Sequence, residues 1–595
     1  MNVLGITEGI DGGAAIVRDG RILAAVNEER LCRLKQAFGF PWQSIECVLR
    51  LAGLEPRDVD LVCVAAINNH FYPEPFAYPG WFQYERGAFR KTWFTLAGRL
   101  SNYIGSFRPA QWLYYKARTP AFIHRRRAIR RILRDHFGIA APVRFIHHHL
   151  AHATSALFTS GFERATVVTM DGGGDGDSSH IYLGVGRSLK LIARTTAYNS
   201  LANFYAYVTH LCGYKAQKHE GKITGLAAHG EPRYLDLLDS LITYRDRRIV
   251  NAGKVVFHAA LRAIERRLPA GWRKEDLAAT IQQHCERIAT AYVRDHLHPD
   301  GDGNVALAGG LFANVRINQK VHEIDGVRRV FVHPGMCDGG LAVGAALAAC
   351  LEHEPGADRP RLDDVIDTVY LGPQYSDAEI AAELDEAGLS YEKPADAARE
   401  IARLLAEGYV VARFDGRMEY GPRALGNRSI LYQPADPSVN DWLNHNLQRT
   451  EFMPFAPATL WERAHECYEN LDGAEHTARF MTITFDCTPQ MRRTCPGVVH
   501  IDGTARPQLV REQDNPGYYA ILRAFERLTG IPSIINTSFN MHEEPIVCSP
   551  RDAIRAFLRG HLDYLAIGPY LVRCPKPAAR VRRPVPQVAS KQARR

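Results

Sequence analysis

VLGITEGIDGGAAIVRDGRILAAVNEER, residues Val3 to Arg30, is the stretch on which the fold turns. It holds three short apolar runs, broken first by a glycine loop carrying Asp11 and then by Asp19-Gly20. Runs of alternating and β-branched residues bounded by Gly and Asp predict three strands in a meander. The same order returns far downstream in VVTMDGGGDGDSSHIYLGVGRSLKLIART, Val167 to Thr195, where the glycine loop carries Asp171. A glycine loop between two strands lets backbone N–H groups approach phosphate oxygens with no side chain in the way.

A meander used twice, each copy followed by helical sequence, predicts a two-lobed α/β domain with its ligand in the cleft between lobes. Actin-like and sugar-kinase-like proteins share that plan. Between the copies an insertion is expected at about residues 70–145. Beyond them, NVALAGGLFANVRINQKV and VFVHPGMCDGGLAVGAALAACL each read as strand, loop and helix, with Asp338 at the end of the second loop. Residues 352–364 (EHEPGADRPRLDD) are polar and proline-bearing, which marks a linker. The first domain is therefore expected over 1–351 and a second α/β domain over 365–574.

At 595 residues the chain is too long for one core, and a hydrophobic share of 46% excludes a disordered or fibrous class. MNVLGITEGI has neither a basic n-region nor an apolar h-region, and the apolar run Leu341 to Leu351 falls far short of the ~20 residues that span a bilayer. A soluble cytoplasmic protein with no membrane partner is expected. The 12 cysteines include no C-x-x-C pair, which argues against a zinc knuckle and offers no disulfide framework. The net charge of +8 gathers in two places. HRRRAIRRILR, His124 to Arg134, sets Ile129, Ile132, Leu133 and Phe137 on one helical face, and the arginines predict a solvated amphipathic helix rather than a nucleic-acid surface. The basic, proline-rich tail 575–595 is expected to be disordered.

Chemistry gathers in a few segments. In IHHHLAHATSA, residues 146–156, a helix would put His148 and His152 four apart on one face, where two imidazoles can grip one ion. His149 and His152, three apart, are the competing pair. Small residues at Ala151, Ala153 and Ala156 suit a helix packed tightly beside a cleft. Asp171 and Asp338 can add oxygen ligands, and two histidines with carboxylates suit Fe(II), Zn(II) or Mn(II). Lys222 in HEGKITGLAAHGEP, the pair Gly309 and Gly310, and the amide of Asn314 could serve a nucleotide. The same glycines could equally do no more than shape tight strand-to-helix turns. In GRMEYGPRALGNRSI, residues 416–430, Arg417, Arg423 and Arg428 offer planar forks that match phosphate or carbamate oxygens. Arg449 and Arg506 add further cations, and Asn536, Thr537, Ser538 and Asn540 add short hydrogen-bonding groups. A site for a small, highly charged substrate is the economical expectation.

With these motifs in order, the chain resembles the NodU/CmcH carbamoyltransferase family. HHxxHA, MDGGGDG, EGKITGLAAHG, AGGLFANVRIN, PGMCDGG, GRMEYGPRALGNRS, TEFMPFAP, DGTARPQ and NTSFN carry the resemblance from Met1 to about Cys574. It implies an actin-like first domain similar to the tRNA threonylcarbamoyltransferase and a YrdC-like second domain. In such enzymes the second domain makes carbamoyl-adenylate from carbamoyl phosphate and ATP, with Mg(II) expected beside the ATP. The first domain then passes the carbamoyl group to an acceptor hydroxyl. The resemblance also implies Fe(II), held by His148, His152, Asp171 and Asp338. Carbamoyl is a poor electrophile because its nitrogen donates into the carbonyl, so a mixed anhydride with AMP, shielded from water, suits the task.

Two departures from the family pattern bear on mechanism. Many relatives place a histidine just before the acid of the first glycine loop; Ile10 stands there, so Asp11 becomes the candidate general base. Asn446 and Gln448 occupy positions that are often basic, which implies altered carbamoyl phosphate affinity. Catalytic roles are expected for Asp11, Arg423, Arg449 and Arg506. Nucleotide or phosphate contacts are expected for Lys222, Gly309, Gly310, Asn314, Arg417, Arg428, Asn536 and Ser538. Residues 71–115 hold 15 aromatics, which serve either an acceptor-binding cap or the private core of an insertion. The acceptor is expected to be a natural-product or sugar hydroxyl, with a homodimer left open. The rivals are a tRNA threonylcarbamoyladenosine-forming enzyme and an actin-like nucleotide-binding protein without transferase activity.

Overall fold

The computed structural model describes residues 1–83, 108–351, 366–447, 455–579 and 581–585. The chain divides into two compact units, Met1–Ile366 and Asp367–Arg595.

In the first unit, β1 (Asn2–Thr7), β2 (Gly13–Arg18) and β3 (Arg21–Asn27) form an antiparallel meander. Helix α1 (Trp42–Ala52) leads to β4 (Leu61–Ala65), and α2 (Arg108–Asp135) leads to β5 (Val143–Ile146). Both added strands run parallel beside β1, giving the order β3-β2-β1-β4-β5, and α3 (His148–Ser160) follows. The second meander is β6 (Arg164–Gly174), β7 (Asp177–Val185) and β8 (Ser188–Thr196). Helices including α4 (Glu220–Ala227) and α5 (Lys274–His296) precede β9 (Asn304–Ala308). Then α6 (Val315–His322) leads to β10 (Arg329–Val332), and α7 (Leu341–Leu347) ends the unit's regular core. The second sheet has the order β8-β7-β6-β9-β10. One topology is thus used twice, as the actin-like and sugar-kinase-like plan requires.

The last helix of each half crosses to the other half. α7 packs on β1, β2 and β4 of the first sheet, whereas α3 packs on β6 and β9 of the second. Small residues permit this crossing at backbone distance. A Cβ added at Gly5 would lie 1.9 Å from the Ala342 carbonyl oxygen, and one at Gly344 would lie 1.8 Å from that of Ala151. The Thr154 hydroxyl donates to the Gly344 carbonyl at 2.7 Å across the same contact. β1 is buried almost throughout because its sheet is covered by helices, and its apolar run shows it.

Several expectations need correction. The segment 70–145 is not all insertion, since α2 and β5 are the repeat's own crossover helix and fifth strand. The basic run is not wholly solvated either. Arg125 lies on the same face as Ile129 and Leu133, fully buried, because the Glu8 carboxylate pairs with its guanidinium. The first part of the basic tail is held in place: the Val585 N–H donates to the Ala406 carbonyl at 2.8 Å, and Gln433 donates to the Arg583 carbonyl at 3.1 Å. Of the aromatic segment, half-buried Trp81 packs on Tyr207 and Phe257, and half-buried Phe76 and buried Tyr78 pack on Phe38. The aromatic stretch around Trp93 and the proposed linker 352–364 lie outside the described residues.

The second unit is built on a mixed sheet of eight strands: β11 (Tyr391–Glu392), β12 (Val411–Phe414), β13 (Arg428–Tyr432), β14 (Ala456–Leu460), β15 (Gln508–Val510), β16 (Ser533–Ser538), β17 (Tyr564–Ile567) and β18 (Tyr570–Arg573), with a two-stranded ribbon of Phe485–Asp486 and Thr504–Ala505 beside it in sequence. Their order is β11-β18-β17-β12-β13-β16-β14-β15. β12 and β13 are antiparallel neighbours, so the loop 415–427 between them returns on itself at the sheet's centre. Helices α8 (Ala397–Ala406) and α9 (Pro516–Thr529) pack against each other.

Candidate metal centre

His148 opens α3 and His152 follows one turn later, with ring centroids 4.8 Å apart. Asp171 lies at the glycine-rich end of β6, and Asp338 begins the short turn that enters α7. One ligand atom from each of these four residues lies within 4.8 Å of all the others. The His148 Nε2 is 2.6 Å from Asp171 Oδ2, and His152 Nε2 is 3.4 Å from the same oxygen and 3.6 Å from Asp338 Oδ1. The helix crossing explains the convergence: the imidazoles come from the first half's last helix, and the carboxylates from the loops of the second half.

The bonding of these groups fits a cation. His152 is wholly buried, yet neither of its ring nitrogens has a hydrogen-bond partner, and Asp171 Oδ1 has none either. Buried polar groups are rarely left so. An ion bound by two imidazoles and two carboxylates would satisfy both kinds of group. Burial pushes the His148 imidazole down, but the Asp171 charge and hydrogen bond, then Asp338, more than reverse this and raise it to about 9. Burial would push the Asp171 carboxyl up, yet His149 and His148 hold it well below the usual carboxylate range. The competing His149 is committed elsewhere. Its Nδ1 pairs with the Thr169 hydroxyl at 2.9 Å and its Nε2 with the Asp177 carbonyl at 3.0 Å.

Asp11 borders this centre. It sits half-buried in the first glycine loop at φ 55°, where burial and the charges of Glu29 and Asp338 raise its carboxyl to about 7. The Asn27 amide donates to both the Asp11 carbonyl at 3.3 Å and the Gly339 carbonyl at 3.0 Å, tying the two acid-bearing loops together.

The nucleotide-type residues divide. Gly310 adjoins the centre, since its added Cβ would lie 3.8 Å from that of Asp171. Gly309 is required by the turn: φ is 106° and a Cβ would meet the Met170 carbonyl oxygen at 2.3 Å. Asn314 is consumed as a cap; its oxygen accepts from the N–H groups of Arg316 and Ile317, and its amide donates to Gln282 at 2.7 Å. Lys222 is buried in α4, with its ammonium 6.0 Å from the centre of the Tyr214 ring.

In the second unit the arginines also divide. Arg428 is fully buried over the Phe414 ring and donates to the carbonyls of Asp415, Asn427, Gly416 and Pro373, so it shapes the loop from within. Arg417 donates to the carbonyls of Leu371 and Gly372. The Glu419 carboxylate accepts the N–H groups of Leu425, Asn427 and Arg428 on one oxygen, closing the same loop. Arg423 lies half-buried between these fixed points, and Arg506 is half-buried just after a two-stranded ribbon. Asn536 donates to the Ala424 carbonyl and to Gln508, whereas Ser538 ends β16. Asn446 closes a helix, while Gln448 and Arg449 lie outside the described residues.

Two contributors had no place in the motif reading. Asp175, the second acid of DGGGDG, accepts the His148 N–H at 2.8 Å. Gly174 faces the His148 ring so closely that a Cβ would lie 2.2 Å from a ring carbon. Gly174→Ala is therefore expected to displace His148 and weaken divalent-metal binding at least about tenfold, as loss of ligand support does. Equilibrium dialysis with Co(II) checks it, and unchanged binding would refute the placement of this ring.

Sequence comparisons identify the family. The profile described as Carbamoyltransferase N-terminus matches residues 2–347, and that described as Carbamoyltransferase C-terminus matches residues 402–574. Nodulation protein NolNO of Sinorhizobium fredii is 34% identical over 95% of this chain and 79% of its own length. Nodulation protein NolO of Bradyrhizobium diazoefficiens is 36% identical over 72% of this chain and 79% of its own. Protein sll1178 of Synechocystis is 32% identical over 94% of each. Matched in both of its halves, this chain belongs to the carbamoyltransferase family and is a carbamoyltransferase enzyme.

Proposed function

We propose that this carbamoyltransferase is ATP-dependent and works at two stations. The second unit, taken as YrdC-like, cleaves carbamoyl phosphate with one water to carbamate and phosphate, and the carbamate oxygen then attacks the α-phosphate of ATP to give carbamoyl-adenylate and release pyrophosphate. The first unit receives that anhydride and transfers the carbamoyl group to a hydroxyl of a small acceptor, with AMP leaving. The observation that carries this reading is the convergence of His148, His152, Asp171 and Asp338 with buried ligand atoms left unsatisfied.

His148, His152, Asp171 and Asp338 would hold a divalent metal, Fe(II) by family resemblance. When bound, the metal supplies Lewis acidity toward a carbonyl or phosphate oxygen. Asp11 takes the proton of the attacking hydroxyl, for which a carboxyl raised to about 7 is suited. Gly309 and Gly310, with Lys222, take the nucleotide side of the anhydride. Arg423, Arg449 and Arg506 bind carbamoyl phosphate and the ATP phosphates, with Mg(II) beside the ATP. The acceptor is a natural-product or sugar hydroxyl, the class that the family resemblance implies. All 12 cysteines are free thiols, which accords with a reducing cytoplasm. No helix among the described residues is long and apolar enough to cross a membrane.

The test is pyrophosphate release from ATP with and without carbamoyl phosphate, followed by carbamoylation of candidate acceptors. Release that ignores carbamoyl phosphate would sink the first station. A pH dependence follows for the second. His148 is held protonated up to about 9 and must lose that proton to act as a ligand. Apparent metal affinity is expected to rise about tenfold per pH unit from neutrality and to level off near the raised pKa. One proton should leave per ion bound, as calorimetry in buffers of different ionisation enthalpy would measure. Affinity independent of pH over that span would exclude His148 as a ligand.

A further inference from the structure

Resting on the metal-centre reading above, a further residue takes a defined role. We propose that Asp175 is the positioning residue of this centre, holding His148 against the turn that follows β4. Its carboxylate accepts three backbone N–H groups from two separate segments: Ile67 at 2.9 Å, Asn68 at 2.6 Å and His148 at 2.8 Å. The His148 N–H belongs to the first turn of α3, where N–H groups lack partners within the helix and a negative charge is favoured. Asp175 therefore binds the first imidazole ligand by its own backbone. The adjoining Gly174 bounds the same imidazole from the side, where a Cβ would overlap it. The dipeptide thus restrains both the backbone and the ring of one ligand.

The turn on the other side of Asp175 is itself rigid. Ala66 adopts φ 63°, a left-handed conformation that a residue with a Cβ keeps only where neighbours enforce it. Arg125 supplies that enforcement. Its guanidinium donates to the carbonyls of Ala65 at 3.0 Å, Ala66 at 2.9 Å and Ile67 at 3.3 Å, while Glu8 neutralises it. Arg126 adds a bond to the Ile67 carbonyl at 3.2 Å. The turn is gripped by its carbonyls from α2 and by its N–H groups from the β6–β7 loop. Glu8 also begins the glycine loop that carries Asp11, so one chain of contacts joins that loop to His148. Asp175 is the link that reaches the metal ligand.

The experiment is Co(II) binding to the full chain, followed by visible absorption and thermal melting, for wild type and Asp175→Asn. Asparagine keeps the size and one acceptor oxygen but removes the charge and the second oxygen. Affinity is expected to fall about tenfold or more, with an altered absorption band and a melting temperature near that of wild type. Affinity within twofold of wild type, with an unchanged band, would overturn the proposal. If wild type itself binds no Co(II), the metal-centre reading fails first, a separate result. Should Asp175→Asn not fold, amide exchange on wild type decides: exchange at Ile67, Asn68 and His148 should slow when Co(II) binds, and indifference there overturns the role.

Discussion

Arg423→Ala is expected to abolish carbamoyl-phosphate-dependent pyrophosphate release, with a loss of at least about 10³-fold in rate, the scale seen when a transition-state cation is removed in phosphoryl transfer. Arg428 and Arg417 are built into the loop that carries Arg423. Arg428 is sealed over Phe414 and bound to four carbonyls, and Arg417 donates to the carbonyls before β12. Those bonds, with the three N–H groups on Glu419, fix the loop 415–427 as a frame. Arg423 lies half-buried within this same loop. None of the bonds just named uses the Arg423 side chain, so the variant is expected to fold and melt near wild type while losing the half-reaction. Arg428→Ala separates the two roles. It deprives buried carbonyls of their donor and is expected to destabilise the second unit by about 3 kcal/mol, read from denaturant unfolding. Near-normal release from a stable Arg423→Ala protein would remove Arg423 from the site.

The fold was legible where one short signal repeats. Three strands with an acid in the first glycine loop, seen twice, led to the two sheets of the first unit. The His148 and His152 spacing was legible too, because a helix puts residues four apart on one face whatever surrounds it. What escaped depends on partners distant in sequence. Arg125 looks like one more solvated arginine until Glu8, 117 residues earlier, is brought against it. Arg428 looks like a phosphate ligand because its fork suits phosphate, but carbonyl oxygens at hairpin distance suit the same fork. β5 was lost inside the supposed insertion because VRFI is too short to stand out beside a long basic helix. Asp175 escaped because its work is done through backbone N–H groups, which carry no sequence signal.

His148→Ala is expected to cost metal binding and carbamoyl transfer together, the latter by at least about 10³-fold, while pyrophosphate release persists. Several kcal/mol of stabilisation by a bound metal correspond to that factor. His149→Ala supplies the contrast. That imidazole is buried with both nitrogens engaged by Thr169 and Asp177, so its loss should reduce stability by about 1–3 kcal/mol and leave metal stoichiometry intact. The pair of variants separates a ligand from a core histidine one residue away. It also tests the division of labour between the two units, since the imidazole cluster belongs to Met1–Ile366 and the arginine loop to Asp367–Arg595. Metal content by elemental analysis, pyrophosphate release and acceptor carbamoylation should be measured on the same folded preparations. If folded His148→Ala protein lost pyrophosphate release as well, adenylate formation would depend on the metal centre, and two independent stations would have to give way to one shared site.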